Sequence, residues 1–244
     1  MPSNAIYKGV IFDLFHTLTG LESEWSNLPP TCDVLGIDRR HWDEVLTQNS
    51  RWRLVGEVRD PYAVLCRLAR IADPNISEQR VSEALRIRMQ RFRDCFLRIP
   101  PANVTTLRRL KSAGYKLGLI SNADAMEVAS WNECALCGLF DVEIFSCDVG
   151  YAKPEPDIYR LCLERLALAP HECLFAGDGG SDELIGARPV GLSTVFVSGV
   201  IAELWPERIP ARRLTADHHV VWMPEVLDLL GLDEVGGVAD SGNF

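Results

Sequence analysis

"GVIFDLFHTLTG", residues 9–20, decides the fold. Val10, Ile11 and Phe12 form a short apolar run that stops at a carboxylate, Asp13. Such a run, without strict alternation, reads as a strand covered on both faces, the form taken in parallel sheets. Polar groups crowd its exit: His16, Thr17 and Thr19, with Phe15 standing where a second acid would be useful.

Five further runs read the same way, at 116–121, 142–146, 173–177, 194–198 and 218–222. Helical patterns at 104–113, 125–137, 156–166 and 181–188 separate the later ones. Strand alternating with helix predicts an α/β fold with a doubly wound, Rossmann-like parallel sheet. The interval 21–99 differs, because it holds no strand pattern and several helical ones, at 40–53, 61–71 and 77–97. The last is rich in arginine, with Val81, Leu85, Met89, Phe92 and Phe96 spaced by three or four residues. "IPPAN" at 99–103 marks the return to the sheet. The expected organisation is a core of 1–20 and 100–231, an all-helical insertion at 21–99, and a Gly-rich, acidic tail at 232–244 that reads as disordered.

The 244 residues suffice for one sizeable core and a modest second unit. Composition is that of a globular protein: 47% hydrophobic, 24% charged, with a mean hydropathy of +0.01. A net charge of -9 argues against a nucleic-acid-binding surface, yet leaves room for a small anionic substrate held by local donors and a metal. No apolar stretch approaches the ~20 residues that span a bilayer. The opening MPSNAIYKGVIF lacks a signal peptide's apolar region, so the expected location is cytoplasmic, without a membrane partner. The 8 cysteines are scattered and read as reduced thiols. Cys134 and Cys137 form a CxxC without the second pair or histidines that a zinc site needs.

In an open parallel sheet, ligands bind beyond the carboxyl ends of the strands. Past the first strand come Asp13 and Thr17, and past the second Ser121 and Asn122. Lys153 follows the third in "GYAKPEPDIY", and Asp178 follows the fourth in "GDGGSDELIGA", with Asp182 and Glu183 behind it. Each alone has an ordinary reading as a cap, a turn or a solvated side chain. Together, in this order at one sheet edge, they suit one chemistry. A carboxylate can attack phosphorus and form an acyl phosphate, which divides hydrolysis into two easier displacements. Ser121, Thr17 and backbone amides could hold phosphoryl oxygens, and Lys153 could neutralise charge on aspartate and phosphoryl group alike. Asp178 with Asp182 or Glu183 offers hard oxygens suited to Mg²⁺.

With these motifs the chain resembles the haloacid dehalogenase (HAD) superfamily along nearly its whole length. "DLFHT", "SN", "KPEPDIY" and "GDGGSDELIGA" stand in the family's order. The resemblance implies Asp13 as nucleophile, Ser121 as phosphate ligand, Lys153 as charge stabiliser and Asp178 as a Mg²⁺ ligand, directly or through water. The insertion resembles a C1-type helical cap that closes over the site and contributes to substrate choice; Trp25, Trp52 and Arg59 are candidates to line its pocket, Trp52 fitting the cap's own core better. A receiver domain shares several of these residue types, but there the acidic pair lies at the first strand and the lysine comes last.

Two departures stand out. Phosphatases of the family usually carry a second aspartate two residues after the nucleophile, as proton donor and later as base. Phe15 occupies that position; its backbone carbonyl can still ligate Mg²⁺, but proton transfer should suffer, by ~10²–10⁴-fold in rate. Three routes stay open: a leaving group that departs unaided, a proton from the cap or the substrate, or a proton from His16, which stands where the family often has glycine. The second departure lies in the last motif, where Glu183 takes the position commonly held by aspartate and Asp182 precedes it.

Dehalogenases of the superfamily also lack the second aspartate, because halide leaves without a proton. Against that reading, Asp178, Asp182 and Glu183 would repel a haloacid's carboxylate where no metal intervenes. The expected activity is therefore a Mg²⁺-dependent phosphatase of a small phosphorylated metabolite. The alternatives are a haloacid dehalogenase and a slow or inactive binder of a phosphometabolite.

Overall fold

Among the described residues, runs of buried apolar residues build one six-stranded sheet. The structure, a computed structural model, describes residues 7–232. Strands β1 (Gly9–Phe12), β2 (Lys116–Ser121), β3 (Val142–Phe145), β4 (Cys173–Gly177), β5 (Ser193–Val197) and β6 (His218–Val220) are all parallel, in the order β3-β2-β1-β4-β5-β6. The chain leaves β1 towards β2 and β3, then crosses back to β4 and continues the other way. The order thus reverses between β1 and β4, and a crevice opens beyond their carboxyl ends.

Side chains of β1 alternate between two cores, as strand geometry requires. Val10 and Phe12 join Leu107 and Leu110 of α7 (Pro101–Ser112) and Val226 and Leu227 of α13 (Val226–Leu229). Ile11 faces the opposite layer, with Ile158, Tyr159 and Cys162 of α9 (Pro156–Leu166) and Leu184 and Ala187 of α10 (Glu183–Ala187). Three further short helices, α8 (Ser146–Val149), α11 (Gly199–Leu204) and α12 (Ile209–Leu214), ride on the loops at the carboxyl end.

Between β1 and α7 the chain is helical: α1 (Glu22–Trp25), α2 (Thr31–Leu35), α3 (Arg39–Gln48), α4 (Ser50–Leu54), α5 (Pro61–Ala72) and α6 (Glu78–Leu97). Asp60 caps α5 by accepting from Ala63 N at 2.7 Å, with Pro61 in the first turn where its missing N–H costs nothing. Ser77 caps α6 the same way. This helical insert has its own core, including Trp42, Trp52, Leu65, Leu68 and Val81, and Met126 from the loop after β2 plugs into it. Trp52 therefore belongs to that core.

Several sequence-based expectations need correction. Residues 125–137, expected as a helix, form turns and a short 3-10 segment (Trp131–Glu133). Asp124 accepts from Met126 N and Glu127 N, a capping contact that closes one turn which the chain does not continue as a helix. The helix expected at 40–53 breaks at Asn49, whose side-chain amide and backbone N–H both donate to the Val45 carbonyl. That expected at 181–188 shortens to α10, because Ser181 and Asp182 take left-handed conformations, φ 51° each. The strand expected at 142–146 ends at Phe145, where Ser146 begins α8, and that expected at 218–222 ends at Val220. The expected tail falls, from residue 233 onward, outside the described residues. Among the described residues no helix is long and apolar enough to cross a membrane.

Candidate active site

Adjacent strands bring their terminal carboxylates together. The Asp13 N–H donates to the Ala176 carbonyl at 2.9 Å, so the register of β1 on β4 sets Asp13 beside Asp178. Glu183 reaches in from the start of α10. A Cβ on Gly177 would lie 2.1 Å from Glu183 Oε1, so only glycine admits this carboxylate beneath the strand end. The Gly179 N–H donates to the same oxygen at 2.9 Å. Asp13, Asp178 and Glu183 each offer an oxygen, all within 4.8 Å of one another, and all three side chains are buried.

Lys153 lies between two of them. Its Nζ donates to Asp13 Oδ1 and, at 2.5 Å, to Glu183 Oε2. Burial works against its charge, but Asp13 and Glu183 outweigh burial and hold the lysine pKa above its usual value. Burial raises the pKa of Asp13 and Glu183, with Lys153 opposing; Asp178 adds to the rise at Asp13, and Asp13 and Asp178 add to it at Glu183. Lys153, with an arginine beside Asp178, offers two fixed positive charges against three buried carboxyls. The surplus negative charge, presented by hard oxygens, fits a divalent cation.

Around this centre the other expected residues fall into two groups. Thr17 Oγ1 donates to Asp13 Oδ2 at 3.0 Å. Ser121 is fully buried at the end of β2 and its hydroxyl has no hydrogen-bond partner, a cost of ~1–3 kcal/mol unless a ligand supplies one. His16 sits at φ 63°, a conformation glycine adopts freely. Its Nδ1 lies 3.8 Å from Asp178 Oδ2, and its Nε2 lies 3.4 Å from Glu22 Oε1, short of hydrogen-bond alignment. Burial disfavours the imidazolium, but Glu22 and Asp178 prevail and raise its pKa.

The second group sits apart from the carboxylates. The Asn122 side chain pairs with the Lys153 backbone, donating to its carbonyl and accepting from its N–H, both at 2.8 Å. It therefore positions the lysine, where phosphate contact was expected. Asp182 is exposed and stays outside the carboxylate cluster, turned away by the two left-handed residues that turn Glu183 in. The Phe15 ring packs against Trp25, Phe92 and Phe96, centroids 5.8, 5.6 and 6.3 Å apart. Arg59 donates to the Asp148 carbonyl at 3.1 Å.

Sequence reading missed Arg212 of α12, which donates to the Asp178 carbonyl at 2.7 Å and lies 3.2 Å from its Oδ2. Nothing in "ARRL" marks it, because the contact spans 34 positions. It also missed Tyr159, whose buried hydroxyl donates to the Glu183 carbonyl at 2.7 Å.

Known proteins resemble the chain in sequence and in fold. A glyceraldehyde 3-phosphate phosphatase of Pyrococcus furiosus is 32% identical over 139 residues, covering 55% of each chain. The Methanothermobacter thermautotrophicus enzyme of the same name is 32% identical over 110 residues, 44% of this chain and 48% of that one. The chain thus spans about half the length of the curated relatives it matches. A solved dehalogenase superposes with a TM-score of 0.66 over 91% of this chain and 96% of its own, at 21% identity, a likeness of fold. The model of the haloacid dehalogenase-like hydrolases matches residues 7–191, and with the carboxylates and lysine assembled where β1 and β4 diverge, the chain belongs to that family of hydrolases.

Proposed function

We propose that the protein is a Mg²⁺-dependent phosphatase acting on a small phosphorylated metabolite through an aspartyl phosphate. The supporting observation is the buried set of Asp13, Asp178 and Glu183 around Lys153. Asp13, Asp178 and Glu183 would hold the cation, with the Phe15 carbonyl added on the family resemblance. Bound there, Mg²⁺ supplies charge neutralisation between carboxylate and incoming phosphate. Asp13 attacks phosphorus, a carboxylate–phosphorus bond forms, and the bond to the leaving oxygen breaks. Thr17 orients the Asp13 carboxylate, Lys153 balances the charge that develops, and the free Ser121 hydroxyl donates to a phosphoryl oxygen. Phe15 has no proton to give. Of the side chains in the first loop other than Asp13, only His16 carries a proton that titrates, so His16 is the proton donor this loop offers to the leaving oxygen. Residues 21–99 act as a C1-type cap over this chemistry.

Phosphate release from a panel of phosphomonoesters, with Mg²⁺ or EDTA, for wild type and Asp13→Asn, tests this reading. Turnover that requires both the metal and Asp13 is the expected result. The Phe15 aromatic cluster favours a second reading, dehalogenation of a 2-haloacid, since halide needs no proton. Halide release that persists in EDTA, with no phosphate release, would replace the first reading with the second.

A further inference from the structure

A cavity of about 570 Å³ lies between the first loop and the ends of β5 and β6. Both crossings between core and insert pass it, at Gly20 and Leu21 and again at Pro100 and Ala102. Its inner surface is apolar, since Val197, Val200 and Met223 line it and are buried. Trp222 forms a further wall although the residue is 55% exposed. A Cβ on Gly199 would lie 2.4 Å from two atoms of the indole, so the ring is seated directly on the backbone at the start of α11. None of Asp13, Asp178, Glu183 and Lys153 lines this space. A cavity of such a size, mostly apolar with a few polar groups, has the usual form of a small-molecule site.

Most of the polar lining is already engaged. Thr17 donates to Asp13, Thr19 accepts from the His16 N–H at 2.8 Å, and Asn103 donates to the Leu18 carbonyl at 3.0 Å. Glu225 accepts from the N–H groups of Val221 and Trp222 at 3.1 and 3.0 Å. Glu24 and Glu203 differ: among the described residues their carboxylates have no hydrogen bond or ion pair. Arg98 donates to the Glu24 backbone carbonyl at 3.0 Å and not to its carboxylate. The lining holds no lysine or arginine, and its one imidazole, His16, faces Glu22 and Asp178. The cavity thus presents carboxylates and an indole without a fixed cation, which complements positive charge on an apolar body.

We propose that this cavity binds a small organic amine, a single ammonium carried on an aromatic or alkyl body, apart from the chemistry at Asp13. The body packs on Trp222 and the two valines, and the ammonium lies toward Glu24 and Glu203. The same carboxylates disfavour an organic anion of equal shape. The inference goes beyond the phosphatase reading and is measured by binding alone, so it stands or falls independently of phosphate release.

Three probes of one shape test it by calorimetry: 4-phenylbutylamine, 4-phenylbutanol and 4-phenylbutanoate, with methylamine as the charge without the body. Wild type should bind phenylbutylamine about tenfold more tightly than the alcohol, and the alcohol more tightly than the carboxylate. The double variant E24Q/E203Q should bring amine and alcohol to one affinity, and W222A should weaken both by about tenfold. Glu24 and Glu203 are exposed, so their substitution leaves the core untouched, which a thermal melt checks. Four results would overturn the site: equal affinity for amine and carboxylate, an amine affinity unmoved in E24Q/E203Q or in W222A, methylamine bound as tightly as phenylbutylamine, or no binding of phenylbutylamine at millimolar concentration.

Discussion

Asn122 holds Lys153 by its backbone, through two reciprocal hydrogen bonds of 2.8 Å, so the end of β2 sets where the lysine side chain starts. Asn122→Ala should leave the Lys153 N–H and carbonyl without these partners and let the ammonium drift. A displacement of about 1 Å in a positioned group can cost ~10²-fold. The expected result is a loss of that order in kcat with little change in KM, read from steady-state kinetics beside a thermal melt.

Gly177 and Glu183 compete for one volume. Gly177→Ala should drive the carboxylate out, since its Cβ would fall 2.1 Å from Oε1. Overpacking of this kind costs about 1–3 kcal/mol. Urea denaturation should show that loss for the single variant and a partial recovery when Glu183→Ala is added, because the second change frees the space.

On the proposed mechanism, Phe15 gives the phosphoenzyme no carboxylate at the position two residues after Asp13 to activate water. With p-nitrophenyl phosphate, stopped flow should show a burst of about one nitrophenolate per enzyme and then a slow steady state. Phe15→Asp should shrink the burst by speeding the second step. It should also destabilise the protein by about 3 kcal/mol, since the ring's contacts with Trp25, Phe92 and Phe96 are lost.

Asp217 accepts from the Thr194 N–H and hydroxyl, both at 2.9 Å, and lies 3.1 Å from Arg188. Burial would raise its pKa, but Thr194 and then Arg188 outweigh burial and hold it below 3.8. A carboxyl with a folded pKa below its unfolded one stabilises above the unfolded value and loses that contribution as pH falls through the folded one. Asp217→Asn should therefore cost ~0.5–1 kcal/mol at pH 7 and nearly nothing in strong acid. Chemical denaturation of both proteins across the acid range measures it.

The strands next to the reversal point were legible because they are dense in buried apolar residues: β1, β2 and β4 begin and end where the sequence places them. Residues 125–137 were not, since their apolar spacing looks helical while Asp124 and Glu127, at the start of the segment, are tied to the distant Arg53 and Arg88. Asp13, Ser121 and Asp178 could be placed just past or at strand ends, and Lys153 in the segment that follows β3. The choice between Asp182 and Glu183 could not, because it hangs on two left-handed backbone conformations that no residue type there announces. Arg212 depends wholly on tertiary placement.

The two outer strands of the sheet carry a consequence for behaviour at high concentration. An open sheet has two margins at which a foreign strand can dock and continue the ladder. Among the described residues they are β3, with 4 residues, and β6, with 3, and β6 begins with two histidines. Templates so short give an incoming chain few hydrogen bonds, so edge-to-edge polymerisation is discouraged by strand length alone.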